Sequence, residues 1–165
     1  MTGGSDGAER LGENRDLHVV LVEPEIHWNT GNAGRTCLAV GAQLHLVRPL
    51  GFSLDEKEVR RAGLDYWARV NPTVWSSWVE FERTLPSLGT PWFFTARSRR
   101  RFQEIVYPRP AVLIFGRESV GLPAHLLERY AAQTVAIPML DPELRSLNLS
   151  TSVALAAYEA RRQWV

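Results

Sequence analysis

Short apolar runs alternate with helix-like segments along most of the 165-residue chain, and this alternation constrains the fold more than any other feature. The runs are rich in β-branched or aromatic residues and are bounded by proline or glycine, as buried strands are. Such alternation predicts an α/β domain with a mostly parallel sheet, right-handed crossovers and helices on both faces. The predicted strands are residues 17–22, 44–47, 92–96, 111–116 and 134–138.

Helix-like patterns occupy the intervals between these strands. One helix is predicted to begin at Asn29 or Thr30, because both side chains are good N-caps. The last helix runs from about Leu149 to Gln163, where small apolar side chains recur at helical spacing and allow another backbone to pack close. The other predicted helices span residues 54–63, 76–85 and 122–130, with Pro123 in the first turn of the third.

The composition predicts one domain whose stability needs neither a disulfide bond nor a bound metal ion. A hydrophobic content of 45% is enough for one core. We expect residues 1–16, which are glycine-rich and charged, to form a flexible tail, and residues 17–165 to form the domain. The single cysteine, Cys37, excludes an internal disulfide, and the four histidines have no metal-ligand spacing. No apolar run approaches the length of a membrane span, so we expect a cytoplasmic protein with no metal.

Arginines are clustered although the formal net charge is only +1. One cluster lies within residues 97–101 and a second is the pair Arg60 and Arg61. Such clusters are typical of a surface that binds phosphates, and they are equally compatible with a solvated loop.

In a parallel α/β sheet, ligands bind beyond the carboxyl ends of the strands. Four polar segments follow predicted strands in this way and are expected to converge on one edge. The sequence contains no GxGxxG fingerprint, no P-loop and no GxSxG elbow, and Glu23, Glu25 and Glu118 are better explained as capping or salt-bridging groups than as a catalytic pair. What remains suits chemistry in which a reactive cosubstrate carries the transferred group, as in methyl transfer from a sulfonium. The segments are EPEIHWNTGNAGR, ARSRRR, GRESVGLP and PMLDPELRSLN.

Three of these stretches resemble the signature motifs of the SPOUT superfamily of RNA methyltransferases. They are EPEIHWNTGNAGRTC, LIFGRESVGLP and IPMLDPELRSLNLSTSVALAAYEA, in the family's order and at its distances. RRAGLDYW and the short length are closest to the TrmL family, the tRNA ribose 2′-O-methyltransferases of the wobble pyrimidine in leucine tRNAs. The resemblance runs from about Leu17 to Trp164. It implies a C-terminal trefoil knot, S-adenosyl-L-methionine as cofactor, a homodimer, and tRNA as substrate.

The resemblance also implies roles for individual residues. Arg35 would be central, either as the base or as a phosphate clamp, and the clamp is physically easier because a guanidinium holds its proton tightly. Ser150 is either a helix cap or a ligand contact, and Ser150 with Thr151 would start the last helix. The cofactor pocket would consist of Phe94, Gly116, Ile137, Ser146 and Leu147, in a loop shaped by Gly121 and Pro123. The catalytic set would be Asn29, Arg35, Glu118, Ser146 and Asn148.

The RNA contacts are expected among basic and aromatic side chains. His27 and Trp28 replace two prolines that are common in relatives; Trp28 would stack on a base or cover the subunit interface, and the second reading is favoured. The loop MLDPELRS is one residue longer than in close relatives, which leaves the contacts of Glu143 and Leu144 open. Competing functions are a non-catalytic RNA-binding or assembly factor, and a methyltransferase of ribosomal RNA or of another tRNA site. The expected RNA contacts are Arg60, Arg61, Arg97, Arg99 and Tyr158.

Overall fold

The computed structural model describes residues 15–61 and 64–165. Most of the predicted tail and the last two residues of the predicted helix 54–63 lie outside the described residues. Within the described part, six strands form one sheet in the order β3-β2-β1-β5-β4-β6, and every neighbouring pair is parallel. The strands are β1 (Leu17–Val22), β2 (Gln43–Val47), β3 (Thr73–Trp75), β4 (Thr90–Phe94), β5 (Ala111–Phe115) and β6 (Thr134–Val135).

All five predicted strands are present, and the parallel α/β prediction is confirmed. The sequence pattern missed β3, a three-residue edge strand whose Thr73 and Val74 are exposed, so it has no buried apolar run. Strand β4 ends at Phe94 rather than at residue 96. Strand β6 is shorter than predicted, because after Val135 the chain forms only an isolated bridge between Ala136 and Arg101.

Six α-helices are found in the described residues. The helix at 67–70 was not predicted. The first helix begins at His27, earlier than predicted, so that Asn29 and Thr30 are buried in its first turn rather than capping it. The helices are α1 (His27–Val40), α2 (Glu56–Arg61), α3 (Trp67–Val70), α4 (Trp78–Leu88), α5 (Ala124–Arg129) and α6 (Leu149–Trp164).

Two apolar cores cover the two faces of the sheet, as predicted. Alternate side chains of β1 point to opposite faces, so Val19 joins the core beneath α1 and α6 and Val20 joins the core beneath α4. The small side chains Ala156 and Ala160 of α6 are fully buried, and α6 packs along α1 through this stripe. Cys37 is buried in the same core, and burial raises the pKa of its thiol to about 12, as expected of an inert hydrophobic cysteine.

Among the described residues, none of the helices combines the length and the apolar character needed to cross a bilayer. No group of histidine, cysteine, aspartate or glutamate side chains in residues 15–61 and 64–165 could hold a metal ion. The C-terminal trefoil knot and the one-domain boundary stay predictions.

Candidate active site

A cavity of about 590 Å³ lies at the carboxyl edge of the sheet, where β1, β4, β5 and β6 end. All four polar segments that follow the predicted strands contribute to its lining, so the predicted convergence is found. The sequence-predicted site residues that line it are Asn29, Phe94, Arg97, Gly116, Glu118, Ile137, Ser146, Leu147 and Asn148.

Glu118 joins the segment after β5 to the start of α1. Its carboxylate accepts hydrogen bonds from the backbone N–H groups of Glu25 (2.8 Å) and Ile26 (3.1 Å) and from Nδ2 of Asn29 (3.3 Å). Helix α1 has no side-chain cap of its own, and its positive N-terminal end favours a negative charge there. Glu118 therefore holds, from 92 residues away, the N–H of the N-cap residue Ile26, as the carboxylate of a capping box does.

Asn148 joins the start of α6 to the same network. Its Nδ2 donates to Oδ1 of Asn29 across 3.0 Å, while its Oδ1 accepts from the backbone N–H of Thr151 (3.2 Å) and the hydroxyl of Ser150 (2.6 Å). Of the two roles considered for Ser150, the structure excludes the helix cap, because Asn148 is the N-cap and Ser150 and Thr151 lie in the first turn of α6. The amide of Asn148 can bind Asn29 and cap α6 at the same time because it carries both donors and an acceptor.

Two further contacts tie the segment after β1 to the segment after β5. Ser119 donates its hydroxyl and its backbone N–H to the carboxylate of Glu25, and these two bonds lower the pKa of that carboxyl. Arg117 lies 3.8 Å from the carboxylate of Glu23. Glu23 has a φ of 54°, a left-handed conformation that is strained for a residue other than glycine. These contacts agree with the expectation that the glutamates bridge and cap.

The two glycines of the segment after β5 are needed for the backbone conformation of that segment. A Cβ added at Gly116 would lie 2.1 Å from the backbone of Gly121 and Leu122, so residue 116 must be glycine for the loop to close on itself. Gly121 has a φ of 72°, and a Cβ added there would point into open space, so its requirement is conformational rather than steric.

One wall of the cavity is apolar. The ring of Phe94 is stacked on that of Phe115, with centroids 4.6 Å apart and planes 17° apart. Ile137 and Leu147 also line the cavity and are apolar. The amide of Asn29 and the hydroxyl of Ser146 are polar groups in the same lining. A cavity with an apolar wall and a few polar groups suits a ligand that has a flat ring and a polar tail.

Arg35 does not line this cavity within one chain. It lies six residues beyond Asn29 on α1, about 9 Å along the helix, and its exposed guanidinium lies over the ring of Tyr66 at 5.8 Å. The hydroxyl of Tyr66 donates to the carbonyl of Gly31, which holds the ring against α1.

Three arginines from three segments line the cavity, and the sequence interpretation had named only the first. They are Arg97, Arg117 and Arg145. Arg97 and Arg145 have no acidic partner within 4 Å in the part of the chain that the structure describes. The two segments that carry Arg97 and Arg145 were predicted to converge, but Arg145 was not singled out because it belongs to no basic cluster.

The other predicted RNA contacts lie away from the cavity. Arg60 and Arg61 form exposed ion pairs with Glu56 and Glu58 on α2. Arg99 is exposed in the segment after β4. Tyr158 lies on α6, with 56% of its surface exposed. Neither Glu143 nor Leu144 lines the cavity.

Comparisons with known proteins agree with the site. Residues 16–158 match the model of the SpoU rRNA Methylase family. A tRNA (cytidine(34)-2′-O)-methyltransferase of Burkholderia cenocepacia is 46% identical over 149 residues, which cover 89% of this chain and 95% of that protein. A solved structure concerned with the 2-OH methylation of C/U34 on tRNA is 45% identical, with a TM-score of 0.82 over 90% of this chain and 95% of that one. The Aquifex aeolicus TrmH/SpoU tRNA modifying enzyme has a TM-score of 0.71 at 25% identity, over 94% and 81% of the two chains.

Proposed function

Because this chain belongs to the SpoU rRNA methylase family, we propose that it methylates the ribose 2′-hydroxyl of a wobble cytidine or uridine in tRNA, with S-adenosyl-L-methionine as methyl donor. Two relatives named for cytidine 34 are 44% and 46% identical to it over 87% and 95% of their length. Leucine tRNAs are the proposed substrates, and the cytoplasm, where tRNA is modified, is the proposed compartment.

One structural observation supports this proposal in addition to the similarity to known methyltransferases. The hydrogen-bonded chain from Glu118 through Asn29 to Asn148 joins the three motif segments around one cavity. Asn29 is 3% exposed and both ends of its amide are bound, so its orientation is fixed. A fixed set of polar groups is what positioning a weak nucleophile requires.

The cavity has the chemistry that the methyl donor needs. Phe94, Ile137 and Leu147 offer an apolar surface to an adenine ring, and backbone groups near Gly116 and Ser146 can bind its polar edges. When bound, the donor supplies an electrophilic methyl group on a sulfonium. The protein's part is to hold the ribose hydroxyl in line with that methyl and to exclude competing water.

Glu118 acts in this proposal as a positioning residue. Its carboxylate already accepts three hydrogen bonds, so it fixes the loops and the Asn29 amide rather than acting as the base. Ser146, which lines the cavity, is proposed to contact the substrate or donor. Arg35 keeps the proposed central role, as the group that clamps a substrate phosphate.

A homodimer reconciles that role with the position of Arg35. Exposed side chains follow one another along the outer faces of α1 and α6 at helical spacing, and they include large apolar groups. Trp28, Leu155 and Tyr158 are 61%, 42% and 56% exposed on this surface, which also carries Arg35. We propose that two copies pack through it, with Arg35 of one copy reaching the cavity of the other, and that Tyr158 contributes at its edge to RNA contact.

The test is methyl transfer from labelled donor to leucine tRNA, with mass spectrometry of the digested nucleosides to identify atom and position. A 2′-O-methylated pyrimidine at the wobble position is expected. Isothermal titration with S-adenosylmethionine distinguishes a non-catalytic RNA-binding factor, which would give no heat.

Arg35→Ala should abolish turnover with cofactor affinity nearly intact, and Arg83→Ala, which changes an exposed arginine on α4, is the matched control. Equal loss of turnover and cofactor affinity in Arg35→Ala would contradict its assignment.

A further inference from the structure

A second cavity, of about 430 Å³, lies beside the first turn of α1 and is called the side cavity here. Adjacent residues of a helix point about 100° apart. Asn29 lines the active-site cavity, and the next residue, Thr30, lines the side cavity. The two cavities therefore share one helical turn.

Five apolar side chains, two of them aromatic, form part of the wall of the side cavity, beside polar and charged groups. None of these five is fully buried, so part of their apolar surface stays exposed. The volume is within the range of about 300–1,000 Å³ that is typical of ligand pockets. The apolar walls are Phe52, Leu54, Val59, Leu64 and Trp67.

Polar side chains line the side cavity beside these apolar walls, and those of Ser53 and Arg61 are exposed. Aromatic walls with polar groups beside them match a flat heterocycle that has hydrogen-bonding edges. The hydroxyl of Thr30 has no hydrogen-bond partner among the described residues, but its oxygen is buried and is not reached from the cavity.

The side cavity is firmly connected to the active site. The N–H of Gly51 donates to the carbonyl of Pro24 across 2.9 Å, and a Cβ at Gly51 would lie 2.5 Å from the backbone of Glu25. Glu25 in turn donates its own N–H to Glu118. Phe52, the next residue after Gly51, is thus held in a fixed relation to the catalytic loops.

Charged side chains of both signs lie at the side cavity. Arg61 and Glu58 line it, and Arg60 precedes Arg61 on the same helix. The carboxylate of Glu58 lies 3.6 Å from Arg61, but both side chains are largely exposed, so this ion pair is weak and Arg61 can contact a phosphate instead.

We propose that the side cavity binds the base of a nucleotide immediately next to the one that is methylated. Unpaired bases are recognised when they splay out of a single strand and stack on aromatic side chains. A strand that crosses the first turn of α1 can place one ribose at Asn29 and the neighbouring base between Phe52 and Trp67, with their shared phosphate near Arg61. This inference rests on the proposed RNA substrate and adds a specificity site to it.

A double-mutant cycle between protein and RNA tests the proposal. Phe52→Ala is combined with anticodon stem-loop RNAs that lack the base on the 5′ or on the 3′ side of the target nucleotide. Phe52→Ala should weaken binding of the intact RNA about tenfold, the size of one lost base stack. One of the abasic RNAs should bind the native protein about tenfold more weakly, and Phe52→Ala should then cause no further loss. Cofactor affinity should not change.

Leu54→Ala is a second variant in case Phe52→Ala perturbs the fold, and its matched control is Leu88→Ala, another half-buried leucine on the opposite face of the sheet. Additive losses for both abasic RNAs, or equal effects of Leu54→Ala and Leu88→Ala, would overturn the proposal. The native protein and intact RNA are assayed for methyl transfer in parallel. Failure of that reaction counts against the proposed function, whereas the binding cycle reports on the side cavity alone.

Discussion

The side-chain amides of Asn148 and Asn29 are joined by a hydrogen bond of 3.0 Å between residues 119 positions apart in the sequence. The bond connects the start of the last helix to the first turn of the first. Asn29 donates through Nδ2 to Glu118 and accepts through Oδ1 from Asn148, so both ends of its amide are bound. The start of α6 is thereby placed relative to the loop after β5.

Asn148→Ser separates the two tasks of this side chain. Serine caps a helix about as well as asparagine, so the start of α6 should be kept, and the loss of stability should be limited to about 1–3 kcal/mol from the Asn29 oxygen that loses its partner. Serine cannot span the distance to Asn29, so the Asn29 amide loses a partner and turnover should fall at least about tenfold. Urea unfolding and methylation kinetics measure the two effects. Full turnover in this variant would show that the bridge between the two amides is not needed.

Gly116→Ala should be far more harmful than alanine at another glycine of the chain. The added Cβ would collide with the backbone of Gly121 and Leu122 at 2.1 Å, and that backbone cannot move without opening the loop. We expect a loss of about 3 kcal/mol or more of unfolding free energy and no measurable cofactor binding. Gly41→Ala is the control: its φ is 69°, but the nearest atom is the end of the Arg161 side chain at 3.5 Å, so about 1 kcal/mol is expected. Similar losses in both variants would refute the role given to Gly116.

Arg145→Ala should weaken RNA binding and reduce its dependence on salt. The cofactor is itself cationic at its sulfonium, so positive charge at the cavity opening is better matched to RNA phosphates. Removal of one phosphate contact lowers the slope of log affinity against log salt by about 1. Filter binding or fluorescence anisotropy across salt concentrations measures this, with Arg83→Ala as the control. A loss confined to cofactor affinity would instead assign Arg145 to the donor's carboxylate.

Stability should fall as the pH is lowered because two histidines are buried together. Nδ1 of His18 and Nε2 of His45 are 3.0 Å apart, and Nδ1 of His45 accepts from the indole N–H of Trp75. Desolvation lowers the pKa of both, and that of His45 falls to about 3. Their folded-state pKa values lie below the unfolded value of about 6.5, so the contribution is complete above about pH 6.5 and is lost as the pH falls towards the folded values.

The expected slope is up to about 1.4 kcal/mol per pH unit for each histidine below about pH 6.5. Urea unfolding at about pH 5, 6, 7 and 8 measures it in a window above most carboxyl titrations. His45→Gln should be less stable at the alkaline end of this range, because Trp75 loses its acceptor, but should show a shallower slope. An unchanged slope in that variant would mean that other groups control the pH dependence.

The elements with strong local patterns were predictable because burial imposes a period on the sequence. Strand β1 is buried along its whole length and is apolar at every position except His18, and the small residues of α6 recur at helical spacing. Strand β3 lacked such a pattern, because it pairs with one neighbour only and exposes most of its side chains.

The motif residues could be named from the sequence, and most of them line one cavity. Their hydrogen-bond partners could not be named from the sequence. Glu118 holds the backbone in front of α1, which neither Asn29 nor Thr30 caps, and Asn148 rather than Ser150 caps α6 while also binding Asn29. Local rules rank capping side chains by propensity, but they carry no information about a carboxylate that arrives from another loop.

The sequence by itself determined the order and periods of the strongly patterned strands and helices, the family, and the residue types available for chemistry, because these follow from local burial patterns and motifs. Only the tertiary structure decided which polar groups bind one another, which arginines of the converging segments line the cavity, and that Arg35 and Asn29 point to different surfaces. These relationships are between residues far apart in the chain, and the packing of helices on the parallel sheet sets their distances.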